Sequence, residues 1–218
     1  MKGFKFNKKN SMIIIVVTLI ISLFLNVYSS LLNSKYKILL GRETYNSLLD
    51  IRTKNESSAT LLNKCIKAKS INNQEIFTLY KNFSSIDKEF NNLLLKYKNY
   101  NNDKKISIGK KVFESNENYG DVYKRVENLL YEYMNYQMNN DKEIILLEGN
   151  DLNNFLTLES LSRSLNEYFI EFDSKYYKDL DEEKKKLLSI RKNHWVEAIK
   201  DMSSVMEPYF TYEFTIKE

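Results

Sequence analysis

Cysteine, proline and histidine each occur once in this chain, and glycine only five times. A lone Cys65 cannot close an intramolecular disulfide, so packing has to supply the stability. So little glycine and proline argues against a loop-rich sandwich or an α/β fold with many tight turns. Because His194 is the single histidine, a His-based metal site or catalytic triad can be assembled only around it. No His/Glu pair has the helical ligand spacing of a zinc protease, and there is no Gly-rich phosphate loop, nucleophile elbow or cysteine pair. The expectation is a protein that is not an enzyme and carries no cofactor and no metal.

Charge of one sign is missing where it informs most. Residues 1–34 hold Lys2, Lys5, Lys8 and Lys9 and no acid, so the chain's 33 basic and 29 acidic residues leave 29 of each sign in residues 33–218. The body is neutral on paper, whereas a nucleic-acid binder concentrates Lys and Arg on its folded domain. No nucleic-acid partner is expected. Lys184, Lys185 and Lys186 follow Asp181, Glu182 and Glu183 at a spacing that suits ion pairs on a solvated helix face.

What is present is an uncharged apolar run, Met12 to Leu32. Its 21 residues would span about 31 Å as a helix, the thickness of a bilayer's hydrocarbon core. Residues 1–11 form a basic head that favours a cytoplasmic N-terminus, although Lys35, Lys37 and Arg42 weaken the asymmetry. The chain reads as an 11-residue cytoplasmic head, a signal-anchor helix over 12–32 in the lipid bilayer, and an extracytoplasmic domain over 33–218. The rival is a cleaved signal peptide with Val27-Tyr28-Ser29 at the cleavage site, giving a secreted envelope protein. Continued apolar character through Tyr36, Ile38, Leu39 and Leu40, without glycine or proline, favours one unbroken helix rising into the body. No cysteine lies near the end of the run, which excludes a lipoprotein anchor. Abundant Asn, Lys, Ile and Tyr match the codon bias of an AT-rich bacterial genome.

Helical periodicity dominates the body. Ile76, Phe83, Phe90 and Tyr97 recur every seven residues, with Leu79, Ile86, Leu93 and Tyr100 three after each, a seam for coiled-coil or bundle packing. Leu158, Leu161, Leu165, Tyr168 and Phe172 repeat the spacing, as do Val122, Val126, Leu129, Tyr133 and Tyr136. A further helix is expected over 182–206, with Leu188, Trp195 and Met202 inside and Pro208 ending it. Breaks are expected at 70–73, 99–103, 139–141 and 149–151, with Asp151 capping the helix that follows. The fold class is therefore all-α in the main: a transmembrane helix, then an antiparallel bundle of four to five long helices. A small C-terminal β element is added, because Phe210, Tyr212, Phe214 and Ile216 alternate with polar residues. Its expected mate is the segment around Ile106, Ile108, Val112 and Phe113.

Two places could carry a site. On the helix over 35–69 the inward stripe reads either Leu48, Arg52, Asn55, Ala59, Leu62, Ile66 or Leu48, Ile51, Asn55, Ser58, Leu62, Cys65. Asn55 falls on both, flanked by Arg52 and Glu56. These three are a candidate ligand site between helices, weighed against a buried Asn that fixes register beside an ordinary Arg–Glu pair. His194 and Trp195 are the weaker candidate, with Trp195 on the seam and favoured as core. The leading functional expectation is a membrane-anchored protein-interaction or scaffolding module, with an envelope or membrane protein as partner and homodimerisation through the stalk helix open. The alternative is a ligand-sensing ectodomain that signals through another membrane protein.

Overall fold

In a computed structural model, the chain is described over residues 8–105 and 121–216. It is 85% helical, with six helices among the described residues and one two-stranded antiparallel sheet. Helix α1, Lys8–Ala68, is a single rod of 61 residues. From 12 to 39 every residue is exposed; burial starts abruptly at Leu40 and Gly41. The all-α class with a small β element is as the sequence reading expected.

Strand β1 (Ser70–Asn72) turns the chain into α2 (Asn73–Lys105). The start of α2 is a reciprocal cap: Asn72 Oδ1 accepts from the Glu75 amide at 2.9 Å, and Glu75 Oε2 accepts from the Asn72 amide at 3.0 Å. Helix α2 returns antiparallel to α1 and carries α3 (Asp121–Asn139) on its other side. Strand β2 (Ile144–Leu146) then pairs with β1, Ile71 opposite Ile145, with both side chains inward and Ile144 and Leu146 outward. Helix α4 (Gly149–Tyr176) packs on α1, α5 (Glu182–Lys192) crosses the start of the bundle, and α6 (Trp195–Met206) closes against α4, α2 and α1.

The heptad positions form the core. Ile76, Leu79, Phe83, Ile86, Phe90 and Leu93 are fully buried, as are Leu158, Leu165, Val122 and Val126. Each such side chain contributes about 1.5–3 kcal/mol of transfer free energy. On α1 the buried stripe is the second of the two registers: Leu48, Ile51, Asn55, Ser58, Leu62 and Cys65, prolonged downward by Ser47, Thr44 and Gly41. Small residues there admit close neighbours. The Thr44 and Ser58 hydroxyls return to carbonyls of their own helix, at Leu40 and Lys54 (2.9 Å each), and Ser47 donates to Glu89 at 2.6 Å.

Four local expectations are corrected. Helix α2 runs through 99–103 to Lys105 instead of breaking. Gly149, at φ 55°, already opens α4, so Asp151 sits in its first turn and accepts a 2.7 Å bond from Tyr133 instead of capping. The helix expected over 182–206 is two, because Asn193 adopts a left-handed conformation (φ 54°), a state Asn tolerates better than most residues. The β element is also built elsewhere. The tail from Tyr212 to Ile216 keeps the expected alternation of half-buried and exposed side chains but forms no strand, and its expected mate lies outside the described residues. Side chains hold the tail instead. Arg125 donates to the carbonyls of Tyr209, Phe210 and Tyr212 at 2.8–3.2 Å, and Asn154 donates to that of Thr215 at 2.7 Å.

Candidate functional site

Asn55 is fully buried, midway along the bundled half of α1. Its amide nitrogen donates to the Ser162 carbonyl and to Asn166 Oδ1, both at 2.7 Å, and so fastens α1 to α4. Its own Oδ1 and the Ser162 hydroxyl have no hydrogen-bond partner among the described residues. Arg52, one turn earlier, points to a different neighbour. Its Nε donates to Glu56 at 3.0 Å and its Nη1 to Asp173 Oδ2 at 2.8 Å, while Lys185 approaches the same Asp173 oxygen at 3.6 Å. Partial burial disfavours the guanidinium charge, yet the bonds from Asp173 and Glu56 outweigh it and hold the pKa above the ordinary arginine value.

Arg52, Asp173 and Lys185 rim a cleft of about 60 Å³ between α1, α4 and α5, with Tyr45, Leu48 and Phe169 in its walls. Small-molecule sites usually occupy roughly 300–1,000 Å³. Burial, the largest influence on Tyr45, raises its phenol pKa there and keeps it protonated at neutral pH. Glu56 is more than half exposed and borders a separate open groove between α1 and α2. The three candidate residues therefore share a helix segment but not one cavity.

The second pair separates similarly. Trp195 is 1% exposed and lies edge-on to Tyr97 and Tyr100, with centroids 6.5 and 5.4 Å away, a core position. His194 precedes α6; its Nδ1 is 3.0 Å from the Tyr177 hydroxyl and its ring 4.5 Å from that of Tyr176. Burial lowers the imidazole pKa, partly opposed by nearby Glu197, and favours the neutral ring at pH 7. Cys65 is 1% exposed, and burial pushes its thiol up to about 12, a poor nucleophile. Among the described residues no group of three His, Cys, Asp or Glu side chains could hold a metal ion.

Sequence reading did not find Asp173, Lys185 or Arg125. Arg52 meets Asp173 across 121 positions, and no local pattern encodes that distance. The tail's alternation was a signal, but for a strand, and no local pattern marks Arg125 as what holds it.

The remaining feature is α1 itself. Its N-terminal part is long and apolar enough to cross a membrane and is entirely unburied. No protein-family model, curated protein or solved structure matches the chain.

Proposed function

We propose that the protein is a single-pass membrane-anchored module whose bundle stands outside the cytoplasm and binds or scaffolds other proteins at the cell envelope. The observation that carries this reading is the continuity of α1, an exposed apolar half leading without a break into a helix at the centre of a packed bundle. A helix rigid across that junction presents the bundle at fixed height and orientation. The four lysines ahead of the apolar run support a cytoplasmic N-terminus. Far from the anchor, Met138, Ile144 and Leu146 expose apolar surface of the kind partners cover. No catalytic role is assigned.

Protease shaving of intact cells carrying a C-terminal epitope tag, combined with a photo-crosslinking residue at Leu146, tests the reading. A membrane-bound, full-length protein whose tag is removed from outside and which gives one discrete crosslinked protein is the expected result. Shortened protein in the medium would make the apolar run a signal peptide. A tag protected until lysis would place the bundle in the cytoplasm and overturn the topology.

The unpartnered, buried Asn55 Oδ1 and Ser162 hydroxyl favour a second reading, a sensory ectodomain for a very small polar ligand held between α1 and α4. Its mark is a ligand-dependent thermal shift of the full chain that Asn55→Leu abolishes while the crosslink persists.

A further inference from the structure

We infer that the membrane-proximal end of the bundle is a docking face for anionic lipid headgroups, formed by Lys35, Lys37 and Arg42 of α1, Lys98 of α2, and Arg191 and Lys192 of α5. The inference rests on residues 12–32 being the membrane span. The helix itself supplies the ruler. Lys35 and Lys37 lie three and five positions beyond Leu32, about 5–8 Å above the hydrocarbon edge, which is the headgroup layer. Arg42 is about 15 Å above that edge, within reach of the headgroups once its side chain extends.

Packing brings the other cations to the same level. A Cβ at Gly41 would come within 2.9 Å of Ile190 Cγ2, so α5 meets α1 there and ends at once in Arg191 and Lys192. Lys96 pairs with Glu43 at 3.0 Å, and Lys98 follows as α2 descends. All six cations are exposed, and none makes an ion pair among the described residues. Of the nearby carboxylates, Glu43 is engaged by Lys96 and Glu197 by Lys175 at 3.2 Å, while Asp201 shares an open groove with Lys192. Arg191 and Lys192 also complement the α5 dipole. That explanation does not extend to Lys35, Lys37, Arg42 or Lys98, which lie away from helix C-termini. With 29 charges of each sign in residues 33–218, the body has no net charge to draw it to the bilayer, so attraction depends on these six being gathered at one end. Anionic lipid thus attracts this end, which tilts α1 as one rod and selects the side of the bundle that faces the headgroups.

The full-length chain, reconstituted in vesicles, tests this. Asn99→Cys carries a bimane label on α2 beside Lys98, Cys65 being buried, and nitroxide lipid headgroups serve as quencher. Flotation with the vesicles checks the anchor first; protein left at the bottom would overturn the anchor and the docking face together. In floating samples, quenching should rise about twofold or more when phosphatidylcholine is supplemented with about 30% phosphatidylglycerol, and fall back in about 0.5 M salt. Arg42→Glu with Arg191→Glu and Lys192→Glu should abolish the rise, as should the milder Lys35→Gln with Lys37→Gln in part. Helical circular dichroism and the quenching of a distal Leu146→Cys label should not change. Equal quenching in both lipid compositions, or a rise that survives the charge reversal, would overturn the docking face while leaving the anchor intact. In that event an acidic protein surface becomes the better occupant.

Discussion

The two halves of α1 are one helix in two solvents. From 12 to 39 the side chains are exposed all round, and those from 12 to 32 carry no charge; from 40 to 68 only a stripe is buried, and that stripe includes Gly41, Thr44, Ser47, Asn55 and Ser58. The more apolar half is thus the half with no protein around it. Lipid requires apolar character on every face because it offers no partner for a polar group. A bundle requires close approach and a defined register, which small residues and one bonded amide supply.

The sharpest way to break the contrast is to put polar side chains on each half. Ile20→Arg with Leu23→Arg should cost about 5–7 kcal/mol of insertion and release the protein from the membrane fraction. Leu49→Gln, at an exposed position of the bundled half, should change neither partitioning nor stability by more than about 0.5 kcal/mol. Truncation should invert the sensitivities. Leu62→Ala should destabilise the bundle by about 2–5 kcal/mol in chemical denaturation, whereas Ile20→Ala should leave its midpoint unmoved. Asn55→Leu, which leaves the Ser162 carbonyl and Asn166 without their donor, should cost about 1–3 kcal/mol. Gly41→Ala tests the boundary. The added methyl meets Ile190 at 2.9 Å, and a loss of about 1–2 kcal/mol is expected, read as a lower melting temperature.

The smallest effect concerns pH. Burial lowers the folded-state pKa of His194 below its unfolded value of 6.5. The unfolded chain therefore binds more protons as the pH falls through that range, and stability declines with acidification. Urea midpoints at pH 7 and pH 5.5 should show a decline that His194→Gln reduces. Glu75 adds to the loss at lower pH. Burial alone would raise its pKa, but the Lys64 ion pair and the Asn72 amide bond outweigh burial and hold it below the usual carboxylate value.

Much of this fold was legible because it is periodic. The seams of α2, α3 and α4, the turn at 139–141 and the unbroken rise from the apolar run all follow from spacing and from where glycine and proline are absent. Elements decided by distant side chains were not legible. The tail has the alternation of a strand, yet what ties it down is the Arg125 guanidinium at the Tyr212 carbonyl and the Asn154 amide at that of Thr215. Asn193 breaks the last long helix through a backbone state that several asparagines in this chain could adopt, and nothing local singles it out. Of the candidate site, Asn55's place on the buried stripe and the Arg52–Glu56 pair were readable, whereas the Asp173 partnership was not.

One unbroken helix, α1, crosses from the apolar half into the bundle. Spin labels at Leu25→Cys and Leu49→Cys, both exposed positions, measure it in the full-length chain in a bilayer by pulsed electron–electron double resonance. A continuous α1 predicts a single narrow distance near 36 Å, plus the reach of the labels. A broad or markedly shorter distribution would mean a hinge between the two halves and would contradict the account.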